Sequence, residues 1–335
     1  MIKRTLLVLS LALSASTAGA EQTVWEVSLW GKPRAFTQHV ERLADIVASK
    51  TRRGFILKLN YGGLSKPRQN LEGIAAGSFE MAQFCAGYHP EKNRAITVLE
   101  LPFLGVQTLA QELMVSRAVY AHPAVAEEMA KWNAVLLMPT PLPQYNLVGR
   151  GAPPQGTEWF RGKRVRATGG IASLLSDFGA ETVSLTAPET KAAFEAGEID
   201  AVAFAPHAHF AFDTISPAEW WTANLNPGTV NCPVVVNAEA LAALPDAHRD
   251  ALLTAVGPAM DAYLANYDDL LNKWGTVLEV FEKATVEIDG EASRALRNRA
   301  SLSVTQDWIS EASAAGLPAA DLLETVSTSL QQPTN

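Results

Sequence analysis

The residues best suited to chemistry in this 335-residue chain are the basic side chains gathered in one short segment, Phe160-Arg161-Gly162-Lys163-Arg164-Val165-Arg166-Ala167-Thr168-Gly169-Gly170. Alternate residues of a strand share a face, so Arg164 and Arg166 should lie opposite Val165, and Gly169-Gly170 permit a tight turn before the next helix. An arginine at the carboxyl end of such a strand would enter a crevice. There it would present a planar fork that matches a carboxylate in two parallel hydrogen bonds. A solvated basic edge is the plain alternative.

Signatures of catalysis are missing. The chain has no Gly-x-Ser-x-Gly elbow, no phosphate loop ending in Gly-Lys-Ser/Thr, no dinucleotide fingerprint, no His-Glu-x-x-His and no Cys-x-x-Cys. His207 and His209 would share a face if extended, but no further ligand stands at metal-site spacing, so a surface or cleft histidine pair is expected. Asp268-Asp269 and Glu127-Glu128 fall on expected helix surfaces as solvated charge. No catalytic residue, metal or cofactor is expected.

Strand-like apolar runs alternate with longer segments of helical period, the pattern of parallel α/β lobes. Strands are expected at Val24–Trp30, Phe55–Leu59, Glu80–Phe84, Ala134–Met138, Arg164–Ala167, Val183–Leu185, Ala201–Phe204 and Val230–Val236. Helices are expected at Ala35–Thr51, Gln69–Ala76, Leu109–Trp132, Ile171–Phe178, Glu189–Ala196 and from Asp246 to about Ala284, the last with a kink or break near Pro258. An internal echo, Ile74 to Phe84 against Phe194 to Phe204, pairs a helix end, a glycine and a short strand. Gly77 and Gly197 there suit the left-handed position that closes a helix. Two similarly built lobes follow, each sending strand ends toward a shared crevice.

The amino terminus reads as an export signal: Lys3 and Arg4, an apolar run from Leu6 to Leu13, then small residues ending Ala18-Gly19-Ala20, with cleavage expected after Ala20. No later stretch approaches the roughly 20 apolar residues of a membrane span. The formal charge of −8 becomes −10 without Lys3 and Arg4, which argues against nucleic acid or anionic lipid as a partner. Cys85 and Cys232 could pair in an oxidising compartment, but the strand-like run around Cys85 favours two small buried thiols.

The segment Arg161-Gly162-Lys163-Arg164-Val165-Arg166 resembles the Lys-Gly-x-Lys-hydrophobic-Arg element of the solute-binding subunits of tripartite ATP-independent periplasmic (TRAP) transporters, the DctP-like family. In that family the final arginine grips the ligand carboxylate, and its counterpart here is Arg166. Asn146-Leu147-Val148-Gly149-Arg150 resembles the strand that supplies a second cleft arginine, at Arg150. Leu185 to Pro206 resembles the family's small-residue stretch, helix and strand. The order of these segments also fits, over nearly the whole mature chain. One departure concerns the ligand: where many members carry Gln-Glu-Asn-Pro, this chain has Ala203-Phe204-Ala205-Pro206, replacing a polar contact with apolar surface.

The resemblance implies an α/β, two-lobed periplasmic binding protein fold of the type II kind, with lobes joined by crossing segments and a long spanning helix. The expected boundaries are 1–20 for the signal, 21–146 for lobe 1 with about 230–245 returning to it, 147–229 for lobe 2 with much of 265–330, and 246–284 for the spanning helix. The implied function is capture of a small organic carboxylate and delivery to the large and small membrane subunits, without catalysis and without membrane insertion. Arg166 and Arg150 would hold the carboxylate. Trp30, Tyr88, Phe84, Phe204, Ala205, His207 and Trp221 would line an apolar or aromatic pocket, with core packing as the plain alternative for each aromatic. A ligand sensor for a signalling receptor and a periplasmic enzyme acting on a carboxylate are the other readings.

Overall fold

The computed structural model of this chain describes residues 22–333, so the expected signal and its cleavage after Ala20 lie outside the described residues. The chain runs through β1 (Thr23–Leu29), α1 (Gln38–Lys50), β2 (Phe55–Tyr61), α2 (Asn70–Ala75), β3 (Met81–Gln83), α3 (Leu109–Tyr120), α4 (Pro123–Ala130) and β4 (Ala134–Met138). It continues through β5 (Asn146–Gly149), β6 (Arg164–Arg166), α5 (Gly169–Asp177), β7 (Glu181–Val183), α6 (Ala187–Glu195), β8 (Ala201–Phe204), α7 (Pro206–Ala211) and β9 (Trp220–Thr222). The last stretch is β10 (Val234–Asn237), α8 (Ala238–Ala243), α9 (Asp246–Val280), β11 (Ala284–Val286), α10 (Gly290–Arg299), α11 (Thr305–Ala314) and α12 (Ala319–Leu330).

The strands form two sheets, one in the order β2-β1-β3-β10-β4 and the other β11-β9-β5-β8-β6-β7. A short crossing segment delivers a strand from each lobe into the other's sheet, and α9 later delivers β11 to the second. β10 runs antiparallel to β3 and β4 in the first sheet, and β5 antiparallel to β8 and β9 in the second. The first crossing, Pro139-Thr140-Pro141-Leu142-Pro143, is stiffened by prolines. The helix α9 is fastened to it where the Tyr263 hydroxyl donates to the Pro141 carbonyl at 2.7 Å. That helix remains helical through Pro258, then carries Trp274 to the second sheet, where its ring meets Trp221 at 5.1 Å between centroids.

Local sequence explains the elements. Val40, Leu43 and Val47 are the buried stripe of α1. Gly77 and Gly197 take φ of +65° and +72°, closing α2 and α6 before the chain turns into a strand. The single helix expected over Leu109–Trp132 is instead two. Pro123 cannot continue α3 and starts α4, with His122 as the cap whose ring accepts from the Ala124 amide. The chain end also departs from expectation: α11 and α12 pack against the first lobe rather than the second. Trp308 Nε1 donates to Thr97 Oγ1 at 3.0 Å, Arg94 pairs with Glu311, and His122 meets Asp321.

Cys85 and Cys232 are joined as a disulfide, not the two free thiols that sequence favoured. Register is the reason. Val234 stands opposite Gln83 in the antiparallel β3–β10 pair, so continuing the ladder two residues brings Cys232 opposite Cys85. The backbone bonds Phe84 N to Pro233 O and Ala86 N to Asn231 O extend that pairing.

Two buried acids lie near this junction. Glu100 accepts from the Gly87 and Asn231 amides at 3.0 and 2.9 Å, yet burial pushes its carboxyl up to about 7. Burial raises Glu112 to about 8. Conversely, burial pushes the imidazoles of His39 and His209 down to about 3 and His207 well below its usual value.

Two outcomes follow for stability. The bond closes a loop of 147 residues in the unfolded chain, so Cys232→Ser, or reduction of the parent, should cost about 2 to 4 kcal/mol in urea unfolding; an unchanged midpoint would show that the bond adds nothing. The pH dependence has two windows. The histidines must stay neutral when folded, so stability present above 6.5 is lost as pH falls toward 3. The acids favour the folded state while protonated, so their contribution, full below 4.5, is lost as pH rises through about 7 and 8. Between about pH 7.5 and 8.5, above the range in which the histidines of the unfolded chain titrate, the acids dominate, so the urea midpoint should decline, and Glu112→Gln should remove most of that decline.

Candidate functional site

The carboxyl ends of β1, β6 and β8, with the loop after β3, converge on one cavity between the two sheets. Trp30, Arg34, Phe36 and Tyr88 line it from the first lobe, and Arg166, Thr168, Phe204, His207 and Phe212 from the second. Leu142, Tyr145 and the Cys85–Cys232 bridge lie among the lining at the crossing segments. The rings crowd the cavity closely, leaving room for roughly two waters. The two lobes thus meet closely around it.

Arg166 is 2% exposed. Its Nε and Nη2 donate to the Leu185 carbonyl at 3.0 and 2.8 Å, its Nη1 donates to the Ala203 carbonyl at 3.1 Å, and its guanidinium lies 4.2 Å over the Phe204 ring. Three of its five N–H groups are thus engaged, leaving one on each terminal nitrogen. Burial lowers its pKa. Arg164, on the same strand, lies outside: it pairs with Asp200 at 2.8 Å, and its backbone amide donates to the same carboxylate.

Arg34 was not singled out in the sequence. Its guanidinium sits 4.6, 4.7 and 5.1 Å from the ring centroids of Trp30, Phe36 and Phe212. Nη1 donates to the carbonyls of Trp30 and Lys32 at 2.7 and 2.9 Å, while Nε and Nη2 are buried without a partner. Burial lowers its pKa to about 10. The one signal available was its place in Trp30-Gly31-Lys32-Pro33-Arg34, a loop at the carboxyl end of the first strand, where open α/β sheets receive ligands.

Several expected residues are not brought to the cavity. Arg150 lies at the far end of β5, because that strand runs antiparallel to β8 and so presents Asn146, opposite Phe204, at the cleft end. The Arg150 guanidinium instead covers the Phe194 ring and donates to the Phe194 carbonyl. Phe84 belongs to a separate core with Leu71, Ile74, Phe79 and Val235, since strand alternation that turns Cys85 toward the cavity turns Phe84 away. Trp221 packs on His209 and Trp274 inside the second lobe. Ala205 is buried as the residue before α7, and it is Phe204 and Ala208 on either side that reach the cavity. The two histidines separate because they stand on a helix, not a strand. His207 stacks on Phe36 and meets the Tyr267 hydroxyl, whereas His209 bonds Thr214 behind it. No cluster of three or more His, Cys, Asp or Glu side chains suited to a metal ion occurs among the described residues.

Contacts across the cleft hold the lobes together. Trp30 stacks on Phe212, Arg68 donates to the Tyr88 and Ser184 carbonyls at 2.8 and 2.6 Å, and the Ala187 amide donates to the Tyr88 hydroxyl at 3.1 Å. Beside them Gly169 and Gly170, at the start of α5, press against Glu100. A Cβ on Gly169 would strike the Glu100 carboxylate, and one on Gly170 its backbone carbonyl. Glycine is needed at this seam for the close approach itself.

No protein-family model matches the chain, and none of the curated proteins does. Solved structures do match its fold. An extracytoplasmic solute receptor of Bordetella pertussis binding pyroglutamic acid is similar with a TM-score of 0.81 and 18% identity, over 92% of this chain and 100% of that one. A marine metagenome TRAP solute-binding protein specific for aromatic acid ligands, in complex with metahydroxyphenylacetate, gives 0.82 and 17% over 92% and 98%. A TRAP periplasmic solute-binding protein of Bordetella bronchiseptica with bound (R)- and (S)-mandelate gives 0.79 and 20% over 92% and 99%. At such identities the likeness is one of fold: this chain has the mixed α/β architecture of these two-lobed solute-binding proteins.

Proposed function

We propose that this chain is the periplasmic solute-binding subunit of a TRAP transporter, capturing a small organic carboxylate between its lobes and delivering it to the membrane subunits without chemical change. The observation that carries this reading is Arg166: a guanidinium buried at a strand end in an interlobe cavity, with an N–H left on each terminal nitrogen. A carboxylate offers the charge and the two acceptors that such a fork would take. The walls favour an acid with an apolar or aromatic body, since Trp30, Tyr88, Phe204 and Phe212 supply ring faces and edges. Two of the acids bound by the similar structures, mandelate and metahydroxyphenylacetate, have that character. Delivery into a membrane by a partner fits a chain in which no described helix is long and apolar enough to cross one.

Calorimetry with mandelate, 3-hydroxybenzoate and pyroglutamate tests the reading. Arg166→Ala should weaken the acid that binds by about 2 to 5 kcal/mol, roughly thirtyfold or more, because it leaves a desolvated anion unpaired. Arg166→Lys keeps the charge but not the planar fork and should retain a large defect. Arg164→Ala, which removes only an exposed pair with Asp200, should change affinity by no more than about 1 kcal/mol. Parent-like affinity in Arg166→Ala would sink the assignment.

A further inference from the structure

We infer that Arg34 is a second anion clamp, so that the ligand carries two anionic groups, one at Arg166 and the other on the Nε–Nη2 edge of Arg34, with a flat apolar body between them. This rests on the carboxylate reading of the cleft and goes beyond it by naming the class of acid. The pattern of bonds on Arg34 carries the inference. Both N–H groups of Nη1 are anchored by backbone carbonyls, which fixes the plane of the group. The nitrogens left without partners, Nε and Nη2, are those whose N–H bonds point the same way along one edge. That edge matches the two oxygens of a carboxylate, whereas a guanidinium held only for its contact with rings needs no free edge.

Charge leads to the same place. Arg34 and Arg166 line one cavity, and no Asp or Glu lines it with them. None of the ion pairs among the described residues includes either arginine. A buried cation without a counter-charge is costly, so two of them facing one closed space select an occupant of charge −2 over one of −1. Rings of Trp30, Phe36 and Phe212 around Arg34 would bury the body of the acid next to its second anionic group. The acids named for the similar structures, pyroglutamate, mandelate and metahydroxyphenylacetate, each have one carboxylate, so this cleft would differ from theirs in its second half.

Calorimetry on the mature protein with matched pairs decides it: benzoate against isophthalate and terephthalate, and phenylacetate against 1,3- and 1,4-phenylenediacetate. At least one diacid should bind roughly tenfold or more tightly than its monoacid. That ratio should collapse in Arg34→Gln, fall part of the way in Arg34→Lys, and persist in Arg150→Gln, whose side chain lies outside the cavity. If Arg34→Gln melts before it can be titrated, Arg34→Lys reads the same ratio. Monoacids binding as tightly as their diacids, or a ratio untouched in Arg34→Gln, would overturn the second clamp. In that event the carboxylate reading stands as long as Arg166→Ala abolishes monoacid binding. Failure of every acid to bind the parent protein would overturn both.

Discussion

A guanidinium withdrawn from water needs an oxygen for each N–H it turns into the protein, and the second lobe is arranged around that need at Arg166. The Leu185 carbonyl, beyond β7, and the Ala203 carbonyl, within β8, flank β6 on its two sides, so the side chain at the end of β6 ties both neighbouring strand ends to itself. The ring of Phe204 then covers the guanidinium face. These partners are backbone groups, one within a paired strand and one just beyond the end of another. The fold therefore holds the fork in one orientation. Arg164, two residues earlier, meets Asp200 in partial solvent contact and has no such constraint.

The first lobe walls the cavity by its close approach to the second, and several contacts show how narrow the fit is. Trp30 on Phe212 and Phe36 on His207 are ring pairs shared between the lobes. Alongside, Gly169 and Gly170 admit Glu100 to the start of α5, where its Oε2 is buried without a partner. A helix amino terminus favours negative charge, while burial favours the protonated acid, and the carboxyl raised to about 7 records which effect dominates. The seam thus rests on close fit, with a carboxyl that burial keeps partly protonated near neutrality.

Much of this was legible in the sequence, and the limits have physical causes. Strand runs and helical stripes marked both lobes, because burial on one face imposes its period on the chain. Arg166 was visible as the last polar residue of a short strand before a glycine pair. Arg34 was not, because it lies in a loop without period and its importance comes from the carbonyls and rings that fold around it. The disulfide required knowing that β10 enters antiparallel beside β3, a fact of pairing that neither segment carries alone. His207 and His209 were placed on one face by a strand's period when proline at position 206 starts a helix. Phe84 shows the sharpest limit, since a strand's outward and inward faces alternate and only its sheet neighbours say which is which.

The misplacement of Arg150 and the pairing of the cysteines have one origin. A parallel strand delivers its carboxyl end to the cleft, but a strand that arrives directly from the other lobe enters from the cleft and runs away from it. β5 does so in the second sheet, which puts Asn146 at the cleft end and Arg150 at the far end. The amide of Asn146 is spent on structure there, accepting from the Thr222 hydroxyl and the Leu225 amide and donating to Asn226. β10 does the same in the first sheet, and its entry beside β3 brings Cys232 to Cys85 at the cavity wall. The two crossings therefore form a floor fixed by a covalent bond, by prolines and by the Tyr263 contact to Pro141, while the other groups that line the cavity stand on the strand ends, loops and helix α7 of the two rims.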